Sequence, residues 1–173
     1  MHWLIDGYNL IRQVEFLQAE EHDRGLAAGR EALLKFLADF ARCRVKGKGK
    51  VTVVFDGPAV EPAAHFRASP TGHFPHFSPA HPGVEAVFSR GQTADQVIEE
   101  LIIENRNPAD ITVVSADGEV KRFARRHCCS TLDPAGFIEK ALAPDRQPKT
   151  KPSLHPDRQH QLESELRKHW IEK

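Results

Sequence analysis

Three aspartates, each followed directly by a glycine, stand at or just after the ends of short apolar segments of the chain. Asp6 follows residues 2–5, Asp56 follows residues 51–55, and Asp117 follows residues 111–115 after one alanine. The apolar and β-branched residues of these segments are typical of strands buried on both faces in a parallel sheet. Ligands of such sheets bind beyond the carboxyl ends of the strands. We therefore expect the three carboxylates to lie along one edge.

A fourth carboxylate, Asp95, is expected at the same edge. Thr93 is suited to cap a helix that carries apolar residues at helical spacing, which places Asp95 in the first turn. Helical side chains tilt toward the N-terminus of their helix, so Asp95 should point back to the sheet edge. A single Asp-Gly pair after a strand is usually only a turn, and Pro58 makes a loop entry natural at Asp56. The set of four instead favours a Mg²⁺ or Mn²⁺ site, because crowded carboxylates repel one another unless a cation lies among them.

Strands that alternate with helices predict an α/β fold with a mostly parallel central sheet between two helical layers. The predicted elements are strands at 2–5, 51–55, 84–88, 111–115 and about 128–131, with helices at 26–43, after Thr93, at 119–127 and at 134–142. Residues 58–83 are expected to form a long loop. A polar, proline-rich linker is predicted at 143–155. An amphipathic helix is predicted at 156–173, with a narrow stripe of Leu162, Leu166 and Trp170 that would dock on the domain, a second subunit or a partner.

The motifs around these acids resemble those of a known family. Leu4-Ile-Asp-Gly-Tyr-Asn9, Val53-Val-Phe-Asp56, Thr93-Ala-Asp95 and Val113-Val-Ser-Ala-Asp117 occur in the order seen in YacP-like NYN domains, which are PIN-like ribonucleases. The resemblance covers about residues 1–142 and implies a three-layer PIN-like fold. It also implies that Asp6, Asp95 and Asp117 bind metal, with Asn9 and Asp56 as supporting polar positions. The chain departs from the family pattern at Gln92 and Gln96, which leaves open whether one or two ions bind.

Phosphodiester hydrolysis suits these residue types independently of the resemblance. Carboxylate-bound divalent ions activate a water and neutralise the charge that builds on phosphate. Asp6, Asp95 and Asp117 would hold the ions directly or through water, and Asn9 would bind phosphate or orient the attacking water. Thr93 and Ser115 are expected to support the site through hydrogen bonds or helix caps.

RNA contacts are expected from local basic patches, because the chain has 24 Lys and Arg against 24 Asp and Glu. The better patch follows Asp117 on one helical face and comprises Lys121, Arg122, Arg125 and Arg126. A second patch at residues 42–50 should lie near the opposite edge of the sheet. In the loop, Arg67 stands among phenylalanines and histidines on which bases could stack, although these aromatic side chains could equally pack on the domain. The four loop histidines match no standard zinc spacing.

The bulk properties place few limits on function. No apolar run approaches the roughly 20 residues that span a bilayer, so no membrane association is expected, and the N-terminal segment does not resemble a signal peptide. Three cysteines, two of them adjacent, suggest no disulfide framework and favour a reducing cytoplasm.

The sequence therefore predicts a cytoplasmic, Mg²⁺- or Mn²⁺-dependent endoribonuclease for single-stranded RNA, with mRNA or ribosome-associated RNA as candidate substrates. The rival interpretation is an RNA- or ribosome-binding adaptor that keeps the PIN-like fold but has little catalysis. Phosphatase chemistry of the haloacid-dehalogenase type is weaker, because it would require an aspartate where Tyr8 stands.

Overall fold

The computed structural model describes residues 1–45, 49–57 and 81–143, together with the backbone of two short segments, Phe66–Ala68 and Pro75–Phe77. Residues 1–142 form one compact unit. The chain lies outside the described part from residue 144 onward. The linker predicted at 143–155 and the helix predicted at 156–173 therefore remain predictions.

Within the described residues, seven strands form one sheet. In chain order they are β1 (His2–Asp6), β2 (Lys50–Phe55), β3 (Phe66–Ala68), β4 (Pro75–Phe77), β5 (Val84–Phe88), β6 (Ile111–Val114) and β7 (Ser130–Leu132). Their order across the sheet is β3-β4-β5-β2-β1-β6-β7. Strands β5, β2, β1, β6 and β7 are parallel, whereas β4 runs antiparallel to β5, and β3 runs antiparallel to β4. The N-terminal strand β1 therefore occupies the middle of the five parallel strands.

Helices cover both faces of this sheet. They are α1 (Gly7–Gln13), α2 (Glu15–Arg24), α3 (Leu26–Arg44), α4 (Ala94–Ile103), α5 (Gly118–Arg126) and α6 (Pro134–Leu142), with a short 3₁₀ turn at Pro108–Asp110. Successive residues of a strand point to opposite faces. In β1, Trp3 and Ile5 pack in a core with residues of α1, α2, α3 and α6, whereas Leu4 packs in a second core with residues of α4 and α5. The predicted three-layer α/β/α architecture is confirmed.

Aromatic contacts fix the last helix on the first core. The ring of Phe137 on α6 is fully buried, 4.9 Å from the ring of Phe40 and 5.5 Å from that of Trp3 between centroids. Burying a side chain of this size contributes about 2–3 kcal/mol. This contact attaches α6, and with it the C-terminal end of the compact unit, to the layer that contains α1 and α3.

Two local predictions were wrong. The loop predicted at 58–83 contains the antiparallel strands β3 and β4, which have three residues each and are too short for an alternating pattern to be recognised. The Asp6-Gly7 pair does not form the turn that is usual for Asp-Gly after a strand, because Gly7 is the first residue of α1, which α2 follows. Only seven residues long, α1 barely completes two turns, while α2 buries a single side chain, Leu17, so neither shows a strong apolar period. The helix predicted at 119–127 is shifted by one residue, to Gly118–Arg126.

Candidate active site

Four aspartates stand at the carboxyl edge of the central strands. Asp6 is the last residue of β1, Asp56 follows β2, and Asp117 is the third residue after β6. Asp95 lies in the first turn of α4. Since β2, β1 and β6 are parallel neighbours, their carboxyl ends meet on the same side of the sheet. The topology therefore brings together acids that are separated by up to 111 positions in the sequence, from 6 to 117.

Asp6 is the most buried of the four, with 7% of its surface exposed. One carboxylate oxygen accepts a hydrogen bond from the backbone N–H of Asn9 at 3.1 Å, which caps α1, and the other accepts from the hydroxyl of Ser115 at 3.2 Å. Burial raises the pKa of Asp6 from 3.8 to about 6, although the two hydrogen bonds oppose this change. The charges of Asp95 and Asp56 make smaller contributions to this increase. A carboxyl group in this position favours a nearby cation, which would stabilise its charged form.

Ser115 and Asn9 connect the two halves of this edge. The fully buried Ser115 hydroxyl donates to Asp6 and accepts the backbone N–H of Asp117 at 3.0 Å. The side-chain oxygen of Asn9 accepts the backbone N–H of Ala116 at 2.9 Å. Its amide NH₂ group has no hydrogen-bond partner among the described residues, so it can donate to a ligand. The polar bridge between β1 and β6 thus leaves one donor available beside Asp6.

Asp117 and Asp56 each use one carboxylate oxygen to support backbone N–H groups. One oxygen of Asp117 accepts from Glu119 N at 2.6 Å and Val120 N at 3.2 Å, capping α5. One oxygen of Asp56 accepts from Ala94 N at 2.6 Å and from the Ser89 hydroxyl at 3.3 Å. Asp56 therefore holds the start of α4 against the end of β2. In both residues the second oxygen accepts no hydrogen bond from the described part of the chain.

Asp95 differs from the other three because its carboxylate accepts no hydrogen bond from any described residue. Thr93 caps α4 instead, through a reciprocal pair of hydrogen bonds with Gln96. The pKa of Asp95 is raised, first by burial and then by the charges of Asp117, Asp56, Glu99 and Glu119. The carboxylate of Asp95 is thus available to a ligand. It also lies close enough to these four carboxylates for their charges to raise its pKa.

Neither Glu99 nor Glu119 was predicted from the sequence to contribute to this edge. Glu99 lies four positions after Asp95 on α4, which places it on the same helical face. Glu119 is two residues beyond Asp117 and lies in the first turn of α5. Spacing alone could have indicated both, but neither belongs to the motifs that gave the resemblance.

The donor set fits a divalent ion held partly through water. Among the described residues, no three Asp, Glu, His or Cys side chains are arranged to hold a metal ion directly. Asp6, Asp95 and Asp117 therefore do not form a ready-made three-carboxylate shell. Mg²⁺ commonly takes only one or two carboxylates and retains several waters. Asp6 and Asp95 are two carboxylates whose pKa values are raised first by burial and then by neighbouring negative charges, and they match that mode of binding.

The basic patch predicted after Asp117 lies on α5, beside the acidic edge. Arg122, Arg125 and Arg126 are exposed, and Lys121 is half-buried. Arg122 pairs with Glu119 at 3.3 Å, Arg125 donates to the Thr131 hydroxyl at 3.0 Å, and the Arg126 guanidinium lies 5.7 Å from the Phe123 ring. These contacts hold the arginines on the helix surface while leaving most of their donors to solvent. Arg67 lies in β3, but its side chain is outside the described part.

A parallel α/β/α domain with acids at the carboxyl edge of its central strands has the architecture of a PIN-like, nuclease-type domain. The chain matches the family model of the YacP-like NYN domain over residues 3–173 and belongs to that family. The match continues past residue 142, where the resemblance was expected to end. An RNA-related, nuclease-type role follows at the level of the family.

Two solved structures share the fold. They are the crystal structure of Rae1 (YacP) from Bacillus subtilis and that of a tryptophan-to-leucine mutant of the same protein. Each superposes with a TM-score of 0.60 at 19% sequence identity. The alignment covers 100% of this chain and 85% of the mutant chain, and 99% and 83% for the other structure. At this identity the similarity concerns the fold alone.

No curated protein matches the chain. None of the helices that the structure describes combines the length and the apolar character needed to cross a bilayer.

Proposed function

We propose that this protein is a metal-dependent endoribonuclease that cuts single-stranded RNA. The observation that carries the proposal is the convergence of four carboxylates, those of Asp6, Asp56, Asp95 and Asp117, at one sheet edge, where burial first and neighbouring negative charges second raise the pKa values of Asp6 and Asp95. An edge with this much negative charge repels a phosphodiester unless a cation lies between them. Mg²⁺ or Mn²⁺ would serve, since both prefer oxygen ligands.

Each residue of the edge has a role in this proposal. Asp6 and Asp95 hold the ion, and Asp117 and Asp56 contribute through their second oxygens or through water. A bound divalent ion supplies an activated water and neutralises charge on the phosphate. The amide NH₂ of Asn9 donates to a phosphate oxygen or orients the water. Ser115 keeps the Asp6 carboxylate in place, and Thr93 keeps the first turn of α4 in place.

The substrate is expected to run across α5. Lys121, Arg122, Arg125 and Arg126 begin one turn after Asp117, so phosphates bound there would continue into the acidic edge. Arg67 is proposed as a further RNA contact. Ribosome-associated RNA is a proposed substrate class, and the helix at 156–173 is a proposed docking or dimerisation element.

The cysteines Cys43, Cys128 and Cys129 are free thiols, which suits a reducing cytoplasm.

Cleavage of a labelled single-stranded RNA tests the proposal. Wild type should cut with Mg²⁺ or Mn²⁺ and stop in EDTA. Asp6→Asn and Asp95→Asn should lower the rate about a hundredfold or more, because they remove proposed ligands, and Asp117→Asn somewhat less. Asp23→Asn, at an exposed position of α2, is the matched control and should cleave like wild type. Unchanged activity in Asp6→Asn and Asp95→Asn would show that the roles are wrongly assigned.

The second candidate is an RNA- or ribosome-binding adaptor with little catalysis. It is favoured by the lack of a three-ligand metal group among the described residues. Calorimetric titration of Mn²⁺ into the protein without RNA separates the two. A nuclease should bind Mn²⁺ at micromolar to millimolar levels and lose that binding in Asp6→Asn. An adaptor should release no heat with Mn²⁺ yet still retain RNA in EDTA.

A further inference from the structure

A cavity of about 520 Å³ opens beside the acidic edge, on the side away from α5. Tyr8 and Arg12 of α1, together with Leu26, Ala27 and Arg30 of α3, form its wall, and Asp56 lies on its rim. Tyr8 is two residues from Asp6 in the chain. A ligand in this cavity would therefore touch the residues that border the proposed active site.

Arg30 is the unusual residue of this cavity. Only 9% of its surface is exposed, and it forms no ion pair with any described residue. Its guanidinium donates one hydrogen bond to the Tyr8 hydroxyl, at 3.1 Å, and lies 5.8 Å from the centre of the Phe88 ring. A buried charge without a counterion is costly to stability. An anionic ligand in the cavity would provide the missing partner, because a guanidinium has five donors arranged to match phosphate oxygens.

Tyr8 is held as a rigid part of the wall. Its ring packs at a steep angle against Phe55, with centroids 5.4 Å apart, and its hydroxyl accepts the hydrogen bond from Arg30. The exposed Arg12 places its guanidinium 6.0 Å from the centre of the same ring. Two arginines thus flank one aromatic ring, and only one of their hydrogen bonds is used within the described part of the chain.

The chemistry of the wall indicates the ligand. Two guanidinium groups suit a phosphate. Tyr8, Leu26 and Ala27 provide a flat and apolar surface on which an unpaired base can lie. The volume lies within the range of small-molecule sites and accommodates a single nucleotide.

We infer that this cavity binds one nucleotide of the RNA strand next to the cleavage position, with its phosphate at Arg12 and Arg30 and its base against Tyr8 and Leu26. The inference rests on the proposed function for its choice of RNA. Seating this nucleotide sets which phosphodiester reaches Asp6 and Asp95. It also offsets, at the neighbouring phosphate, the repulsion that the acidic edge exerts on RNA.

Tyr8 is the only tyrosine of the chain, which allows a direct test. Full-length protein labelled with fluorotyrosine carries a single fluorine resonance from the cavity wall. We would titrate it, in EDTA so that no cleavage occurs, with a single-stranded hexanucleotide RNA, with AMP and with inorganic phosphate. The hexanucleotide should shift the resonance saturably, AMP should shift it in the same direction with lower affinity, and phosphate should act more weakly than AMP.

Variants assign the effect to the two arginines. Arg12→Met and Arg30→Met should each raise the Kd of the hexanucleotide about fivefold to tenfold, as loss of a charge-assisted phosphate contact predicts. Lys35→Met is the matched control. It removes the same charge from α3, where Lys35 is exposed and pairs with Glu31 at 3.6 Å, and should change the Kd less than about twofold. Arg12 is exposed, so its variant remains informative if Arg30→Met unfolds.

The results separate this inference from the proposed function. A resonance that stays fixed at saturating RNA, or an Arg12→Met variant that binds like Lys35→Met, overturns the nucleotide site even if the protein cleaves RNA. A shift with inorganic phosphate as strong as that with AMP overturns the base contact. A saturable shift in a chain that cleaves no RNA with Mg²⁺ or Mn²⁺ supports the cavity site and contradicts the ribonuclease.

Discussion

Two helices of this molecule begin with the same dipeptide, an aspartate cap followed by glycine, in different surroundings. At the start of α1, Asp6 is buried and its pKa is raised to about 6. A Cβ on Gly7 would lie 2.9 Å from the Val54 carbonyl oxygen and even closer to the Phe55 ring. At the start of α5, Asp117 is half-exposed, and a Cβ on Gly118 would meet only the end of Arg122, at 3.8 Å. The local sequence specifies the aspartate cap. Tertiary contacts determine how deeply its carboxyl group is buried and whether a side chain larger than glycine fits beside it.

Substituting the two glycines should give the largest difference between these helix starts. Gly7→Ala should lower the free energy of unfolding by about 3 kcal/mol or more, because its methyl group overlaps β2. Gly118→Ala should leave it unchanged or raise it by up to about 1 kcal/mol, since alanine is the better helix former and has room. Urea unfolding of both variants measures the contrast. Equal stability of the two variants would mean that α1 is not pressed against β2.

The buried carboxyl group of Asp6 should appear in the pH dependence of stability. Its folded pKa of about 6 lies above its ordinary 3.8, so the stabilisation from its protonated form is complete below pH 3.8 and lost as the pH rises through 6. The loss is about 3 kcal/mol at most. Burial, with help from the Lys50 charge, lowers the pKa of His2 from 6.5 to about 4. The stabilisation from neutral His2 is therefore present above pH 6.5 and is lost as the pH falls through 4, which is the opposite sign.

The two groups have opposite effects in wild type, where the raised pKa of Asp95 acts in the same direction as that of Asp6, and single variants should separate them. In urea unfolding in EDTA between about pH 4 and 7, the stability of Asp6→Asn should rise with pH relative to wild type. The stability of His2→Gln should fall with pH relative to wild type. A profile of Asp6→Asn that runs parallel to wild type would indicate that the Asp6 pKa is not raised.

Divalent ions should stabilise the start of α1, at Asp6, more than the start of α5, at Asp117. At ten to a hundred times its Kd, Mn²⁺ should raise the free energy of unfolding of wild type by about 1–3 kcal/mol. Asp6→Asn should abolish this effect, while Asp117→Asn should retain part of it. Thermal unfolding with and without Mn²⁺ measures the change, with Asp23→Asn as the control. Stabilisation that is the same in all variants would place the ion elsewhere.

The smallest effect is expected at the start of α4. There the capping residue, Thr93, is not the residue with the free carboxylate, Asp95. Thr93→Ala removes the hydroxyl that accepts Gln96 N–H and should lower the free energy of unfolding by about 1 kcal/mol. Thr93→Ser keeps the hydroxyl and should behave like wild type. Chemical denaturation distinguishes the two variants. A cost in Thr93→Ala above about 2 kcal/mol would show that Thr93 does more than cap the helix.

The sequence is most informative where residue type and spacing act locally. The apolar runs that end in Asp6, Asp56 and near Asp117 gave the central strands, and the edge rule for parallel sheets gave the meeting of the acids. The cap at Thr93 was predictable because a helix cap depends on neighbouring residues, whereas its reciprocal partner Gln96 was noted only as a departure from the family pattern. In each case the decisive contact joins neighbours in the chain or follows from the strand direction.

The parts that could not be predicted depend on distant contacts. The hydrogen bond between Arg30 and Tyr8 joins residues that are 22 positions apart, and nothing in the helical pattern of α3 distinguishes Arg30 from Arg42, which is exposed on the same helix. The role of Gly7 depends on the approach of β2. Helix α1 is short and is stabilised by the strand beneath it, so its periodicity is weak.

The central position of β1 has a consequence for the order in which the molecule can form. His2 pairs with Lys50 on one side and with Ile111 on the other, so the first strand of the chain is completed by a late one. At about 5–20 residues per second, synthesis of residues 56–110 takes on the order of 3–10 seconds. During that time β1 has an unpaired edge, and Asp6 lacks the Ser115 hydroxyl. The acidic edge can therefore assemble only after most of the domain has been made.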